Sequence, residues 1–458
     1  MFTIIRITEL RTFKTKYCVI IFMRKNLTEH IMLKELTIEN FTSFDKPTFF
    51  SMEASPDSQV SEFEDHIVSV NDNRILKISS IYGPNGGGKS NLLKAIELPS
   101  AVVRQDISIL GGRRESFIRS GGSNHAKYET FIFNKNKITK ESVFYVNEKY
   151  EIGYEFEISF SPVRTTQFMV SQETIIIHSE RVSFRQIGQK DYSVLFERNE
   201  KGEISSDYFG DVDLIKNKIA LSDSLSFVLY IIGTFAVKES EKTSLGFDVI
   251  YSLYNEVANT IPLVTNADSF YYPSEIQRII DHKEQILTGL KGAGLSVKDI
   301  STKKMSNGSI EIFLVRSKDD KDNYDLPLSL ESSGTQKLFA ILVSIVNAPE
   351  NTIFLGDDFD SFLHPKLIKA ILDIFAKPSS HRQFIFNSHD LINMNNENFR
   401  RDEIWFAYRN DEYATNIFPL SSVVDYQGKP VRKDAKYSKQ YLEDRYGADP
   451  FIKKGLSL

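Results

Sequence analysis

A single cysteine, Cys18, stands among the 458 residues. It leaves no means of building a disulfide framework or a cysteine-based zinc site. That scarcity fits a reducing compartment, so a cytoplasmic protein is expected. Neither sign of charge dominates: 56 lysines and arginines against 61 acids give a formal charge of −5 and a pI near 6.0. The overall balance supplies no pull toward nucleic acid, although a local patch at Arg113-Arg114 or in the lysine-rich tail stays compatible with it. The apolar run from Tyr17 to Met23 falls far short of the ~20 residues that span a bilayer, so no membrane partner is expected. Internal repeats, low-complexity tracts and sustained heptads are missing as well, which excludes a long coiled-coil arm. Outside the motifs below there is no spare cluster of histidines and acids to hold a metal.

The first residues read differently from the rest. Arg6, Arg11, Lys14 and Lys16 precede the apolar run as in a signal peptide, but no small-residue cleavage site follows. Met32 then opens a strand-like stretch, Leu33 to Ile38. The folded protein is expected to begin there, with residues 1–31 a poorly ordered extension.

Three textures follow. From Met32 to about Arg198 the pattern is mostly strand, clearest where Ile152, Tyr154, Phe156, Ile158 and Phe160 alternate with acids. A period of two means a half-buried antiparallel strand. Similar runs occur at Thr130–Phe133, Val143–Val146, Thr174–Ile177 and Tyr192–Phe196. From about Asp213 to Leu295 the period turns helical. One helix is expected from Leu214 toward Ile232 and another around Phe247 to Ile261. A third carries Ile276, Ile279, Ile280, Ile286, Leu287 and Leu290 on one stripe after Pro273-Ser274. From Ser309 onward strands (Ile310–Val315, Thr352–Leu355, Gln383–Phe386) alternate with helices (Gln336–Val346, Lys366–Phe375), implying a parallel, helix-covered sheet.

The sharpest motif is Gly83-Pro84-Asn85-Gly86-Gly87-Gly88-Lys89-Ser90, a match to G-x-x-x-x-G-K-[ST]. A strand, Ile75–Tyr82, precedes it, and a helix, Asn91–Leu98, follows and is ended by Pro99. Glycines let the backbone wrap a phosphate and aim N–H groups inward at a helix N-terminus. Lys89 would bridge the β- and γ-phosphates of ATP and Ser90 would ligate Mg²⁺. The competing reading is a glycine-rich turn that merely links strand to helix.

Ile353-Phe354-Leu355-Gly356-Asp357-Asp358 reads as a buried strand ending in two carboxylates. Beside a phosphate loop, Asp357 would hold Mg²⁺ and Asp358 would polarise the attacking water. Otherwise these acids, with Asp360, would simply cap the next helix. Leu330-Glu331-Ser332-Ser333-Gly334-Thr335-Gln336-Lys337 launches an apolar helix and offers a second phosphate clamp, or an ordinary cap. Asn387-Ser388-His389-Asp390 follows a strand, where a lone histidine is more often structural than catalytic.

The order of phosphate loop, Ser-Ser-Gly turn, double acid and strand-end histidine resembles the ABC ATPase superfamily. Within it the chain is similar to the SMC/OLD-type ATPases of abortive-infection and antiphage operons. Glu39-Asn40-Phe41-Thr42-Ser43-Phe44, Asp357 through Pro365 and the tail from Gly428 to Ala448 add to the likeness. The resemblance implies an α/β, ABC-type P-loop NTPase head: a parallel core sheet plus an antiparallel β lobe, with a helical insertion in place of a coiled-coil arm. Its parts would be lobe I at 32–205, the insertion at 206–308, lobe II at 309–420 and a tail at 421–458. It also implies ATP and Mg²⁺ bound by Gly83 through Asn91, and a homodimer in which Ser332, Ser333 and Gly334 reach the partner's γ-phosphate. His389 would sense that phosphate.

Two departures stand out. Asp358 replaces the usual glutamate and is one methylene shorter, which points to slow hydrolysis, and His364 occupies the D-loop position often held by aspartate. Only about 70 residues follow His389, too few for the nuclease domain that OLD-type relatives often carry. A sensor or scaffold acting on a separate effector, a companion nuclease, is the expected function. A RecF-like DNA-repair ATPase and a transporter's nucleotide-binding subunit are the alternatives.

Overall fold

The computed structural model describes residues 31–56, 63–104, 130–134, 136–160, 165–166, 169–170, 175–235, 244–263, 273–306, 310–318, 322–424, 427–432 and 435–447. The expected extension, save Ile31, and Arg113-Arg114 lie outside them.

The first part of the chain builds β1 (Met32–Glu39), β2 (Thr48–Ser51), the hairpin β3 (Ile67–Val70) and β4 (Asn73–Leu76), then β5 (Ile78–Tyr82) and α1 (Lys89–Arg104). Next come β6 (Thr139–Val146), β7 (Tyr150–Phe160), the short β8 (Thr165–Thr166) and β9 (Met169–Val170), β10 (Ile175–Gln186), β11 (Ser193–Arg198) and β12 (Ile204–Ser205). A seven-stranded antiparallel sheet runs β12-β11-β10-β7-β6-β1-β2. Alternation along β7 puts Ile152, Tyr154, Phe156 and Ile158 in the core. Glu151, on the opposite face, is covered as well: Lys34, Arg185 and Tyr192 all donate to its carboxylate.

Three local expectations fail here. Ile75–Tyr82 is not one strand: it spans the end of β4, which pairs with β3, and β5, which enters the core sheet, with Lys77 between them. Thr130–Phe133 is not a strand: Phe131 is buried and donates its N–H to Asn40 Oδ1, whereas Ile132 and Phe133 face solvent. Pro99 does not end α1, which runs on to Arg104. A proline inside a helix costs about 3 kcal/mol, but Leu98 just before it and Val102 and Val103 beyond it are fully buried and offset it.

The middle holds the single turn α2 (Asp213–Lys216), α3 (Phe227–Phe235), α4 (Leu245–Asn259), β13 (Thr260–Pro262), α5 (Pro273–Asp281) and α6 (Lys283–Gly292). The helix expected from Leu214 to Ile232 is interrupted because buried Arg198 takes the carbonyls of Leu221, Ser222 and Leu225. The Glu180 carboxylate accepts the N–H of Phe227 and fixes the start of α3 there. The isoleucine stripe splits at His282 into α5 and α6, and Ile280 turns outward. The segment 206–308 is not helical throughout either, since β13 joins the core sheet.

The last part comprises β14 (Asp299–Lys304), β15 (Ile310–Lys318), β16 (Asp322–Pro327), α7 (Ser333–Asn347), β17 (Ile353–Gly356), α8 (Pro365–Ala376), β18 (Gln383–Asn387), β19 (Ile404–Arg409), β20 (Thr415–Pro419) and α9 (Tyr437–Leu442). Ile310–Val315 belongs to an antiparallel meander, β14-β15-β16, rather than to the parallel sheet. Its connections, 305–309 and 319–321, are too short for a parallel crossover. The core sheet runs β13-β17-β18-β5-β19-β20, with β20 the antiparallel strand. All three central strands are buried on both faces: β17 and the middle of β18 read as apolar runs, whereas β5 buries Ser79 and Ser80, whose hydroxyls donate to Glu403 O. β18 lies between β5 and β17, so three loops open side by side at the carboxyl ends of these strands.

Candidate functional site

The phosphate-type loop leaves β5 and enters α1. Gly83, Gly86 and Gly88 take φ of 145°, 76° and 102°, values that side chains rarely tolerate. Space forbids side chains as well. A Cβ on Gly83 would stand 2.0 Å from Ala407 O, one on Gly87 2.6 Å from the same oxygen, and one on Gly88 2.0 Å from Thr415 Oγ1. β19 and β20 therefore form the wall against which the loop is pressed. Thr415 Oγ1 donates to Gly87 O or Ser43 Oγ, at 3.1 and 2.7 Å. The Asn91 amide, expected at the ligand, donates to Ser43 Oγ at 2.7 Å. Asn85 and Gly86 lie exposed at the loop tip, beside half-buried Pro84.

Lys89 is buried, and its ammonium donates to Gly83 O and Pro84 O at 2.9 and 3.0 Å. Burial lowers its affinity for the proton, while Asp358, Asp357 and Asp360 oppose that shift. An anion entering the loop adds to the acids' side of this balance. Ser90 Oγ donates to Asp357 Oδ1 at 2.8 Å. A hydroxyl and a carboxylate in contact at a helix N-terminus form a hard oxygen donor set of the kind that takes Mg²⁺.

Asn387, at the end of β18, had no individual role in the sequence reading. Its amide donates to Asp357 Oδ1 at 2.5 Å and to Ser90 Oγ at 3.2 Å, and its oxygen accepts the Asp358 N–H at 2.6 Å. The strand order explains this: the residue on the middle strand bridges its two neighbours. Asp358 is exposed and takes φ of 45°, a left-handed conformation in which aspartate is enriched among non-glycine residues. Asp360 caps no helix N-terminus. Its buried carboxylate accepts from Ser388 Oγ (2.8 Å), His389 N (3.1 Å) and Asp390 N (2.8 Å). It thereby fixes the loop that presents the exposed His389.

Lys89, Ser90, Asp357, Asp358 and Asn387 are thus brought together. Ser332 and Ser333 are exposed at the head of α7, where Ser332 is the N-cap and accepts the Thr335 N–H. Gly334 packs against Phe362 O, not against the loop. His364 accepts the Lys366 N–H and caps α8. Among the described residues no group of three or more His, Cys, Asp and Glu side chains forms a further metal cage, and no helix is long and apolar enough to cross a membrane.

A family model described as "AAA domain, putative AbiEii toxin, Type IV TA system" matches residues 78–394. No curated protein matches the sequence. Among solved structures, the SMC head domain from Thermotoga maritima is 16% identical, with 84% of this chain and 98% of that one covered at a TM-score of 0.35. The Smc head domain with an extended coiled coil from Pyrococcus furiosus, bound to the C-terminal domain of ScpA, is 12% identical over 85% and 96% at 0.39. The Smc head domain with a coiled coil and joint from Pyrococcus yayanosii is 11% identical over 91% and 100% at 0.40. The architecture is α/β and that of a P-loop NTPase.

Proposed function

The chain belongs to this AAA-domain, AbiEii-toxin family, and on that premise we propose that it hydrolyses ATP with Mg²⁺ and closes around the nucleotide as a homodimer. The observation that carries the reading is the 2.8 Å contact of Ser90 Oγ with Asp357 Oδ1 at the foot of a buried lysine. Two segments 267 residues apart in sequence meet at the point where a triphosphate's metal would need oxygen donors.

In this reading the loop from Gly83 to Ser90 wraps the phosphates and Lys89 neutralises the β- and γ-oxygens. Ser90 and Asp357 would hold Mg²⁺, which supplies positive charge to the departing phosphoryl group. Asp358 orients the attacking water by hydrogen bonding, and His389 contacts the γ-phosphate. The exposed Ser332 and Ser333, with Gly334 beside them, would meet the nucleotide of a second copy.

The OLD-like resemblance and the toxin–antitoxin wording of the family both support a defence role. The head would act as a sensor or scaffold in an abortive-infection system, controlling a separate effector, a companion nuclease, inside the cell. Phosphate release by wild type and Lys89→Ala, with light scattering of Asp358→Ala in ATP and Mg²⁺, tests the core of this. Turnover should vanish in the first variant, and a nucleotide-bound dimer should accumulate in the second. Wild-type turnover in Lys89→Ala, or an Asp358→Ala protein that stays monomeric in ATP, would overturn it. The defence role requires that a neighbouring gene product co-elute when the native operon is expressed. Salt-dependent binding to plain duplex DNA without such a companion would favour the RecF-like alternative.

A further inference from the structure

Asp358 is held by its backbone from both sides. Its N–H is tied to Asn387, and its carbonyl accepts the ammonium of Lys337 at 2.9 Å. Lys337 is buried, lies on the first turns of α7 and also donates to Ser361 Oγ at 2.6 Å. Ser361 in turn donates its hydroxyl to Asp358 O at 2.9 Å. A third contact lies nearby: a Cβ on Gly334 would come within 2.8 Å of Phe362 O, and Phe362 itself takes φ of 64°. The turn from Asp357 to Leu363 thus contains two non-glycine residues in the left-handed region, each pressed or bonded against the head of α7. Such conformations persist where the surroundings over-determine them. A charged donor on a carbonyl in a buried site is among the stronger ways of doing so.

We propose that Lys337 is a positioning residue, which sets the aim of the Asp358 carboxylate by gripping its carbonyl from the helix that carries Ser332, Ser333 and Gly334. A shift of α7 then moves Asp358. Any contact made by the exposed head of that helix is passed to the water-orienting acid of the same chain by one rigid link. Burial lowers the affinity of Lys337 for its proton, while Asp360 and Asp358 face it and oppose that shift. This inference rests on the reading of the chain as an ATPase and adds to it a route by which one surface controls turnover.

The test compares Lys337→Met, Lys337→Arg and Ser361→Ala with wild type. The readouts are kcat for ATP, affinity for a fluorescent ATP analogue, and amide hydrogen exchange across residues 358–363 without nucleotide. Misaligning a catalytic group by about 1 Å can cost on the order of a hundredfold. Lys337→Met should therefore lower kcat at least tenfold, leave affinity within twofold, and speed exchange in the turn. Lys337→Arg should recover most of the rate. A kcat equal to wild type in Lys337→Met, or a loss shared equally with affinity, overturns the proposal. Should Lys337→Met fail to fold, Ser361→Ala decides: a several-fold fall in kcat at constant affinity supports the link, and an unchanged kcat sinks it. If the wild type itself turns over no ATP, the ATPase reading fails first. Exchange then decides the link alone, and unchanged exchange in Lys337→Met overturns it.

Discussion

Asn387 donates its side-chain amide to Asp357 Oδ1 at 2.5 Å, so the acid proposed to hold the metal is oriented by the strand that separates it from the phosphate loop. The same amide reaches Ser90 Oγ at 3.2 Å. Asn387→Ala removes the support of both proposed metal-holding side chains and leaves the side chains themselves in place. Partners that orient metal ligands typically contribute 10- to 100-fold in metal affinity. The Mg²⁺ concentration for half-maximal turnover should therefore rise at least tenfold, with maximal turnover recovered in excess Mg²⁺. A Mg²⁺ titration that superimposes on wild type would show that Asn387 holds only the fold.

Gly88 and Thr415 form a second cross-chain relation, with opposite outcomes for two substitutions. A methyl on Gly88 collides with Thr415 and must also bear φ of 102°, so Gly88→Ala should abolish ATP binding. Thr415→Ala removes the hydroxyl shared by Ser43 and Gly87 but leaves the backbone bond from Thr415 N to Ser43 O. One such hydrogen bond contributes about 1 kcal/mol, so affinity should fall about fivefold with the fold retained. Combining the two should not restore binding, because the backbone strain at position 88 remains. Rescue in the double variant, measured by nucleotide titration, would mean that contact alone decides that position.

What the sequence makes legible follows from how local each determinant is. The phosphate-type loop can be read because its glycines, lysine and serine are contiguous and their flanking strand and helix show in the apolar pattern. The buried runs of β17 and β18 are legible for the same reason. Asn387, Lys337 and Thr415 are not, since each acts through strand or helix neighbours hundreds or tens of residues away. The interruption between α2 and α3 is likewise invisible: Arg198 draws the carbonyls of Leu221, Ser222 and Leu225 away from a helix that their own side chains would favour. The passage of α1 through Pro99 depends on burial at Leu98, Val102 and Val103, which no local propensity reports.

Asp360 offers a test of the loop that presents His389. Its carboxylate gathers three donors from Ser388, His389 and Asp390. Hydrogen bonds to a charged group contribute about 1.5–3 kcal/mol each. Asp360→Ala should therefore lower stability by about 3 kcal/mol or more and release His389. Asp360→Asn, which keeps one acceptor oxygen, should lose less than half of that. In denaturant unfolding, equal losses in the two variants would show that the charge, rather than an acceptor in that place, holds the loop.

Lys77 supplies a pH dependence with a definite sign. It lies buried between β4 and β5 and donates to Lys377 O at 2.8 Å. Burial lowers its pKa from 10.5 to about 8, opposed in part by Asp65. The unfolded amine keeps its proton up to about pH 10.4, whereas the folded one releases it near 8. Below that value both states are protonated, and burying the charge opposes folding in full. Between about 8 and 10.5 the unfolded state holds more protons, so stability rises with pH across that window. Lys77→Met has no such group and cancels the titration of every other lysine in the comparison. The melting temperature of wild type minus that of Lys77→Met should be flat below pH 7 and climb from pH 8 to 10. A difference that stays level, or falls, across that range would mean that the folded amine keeps its proton there.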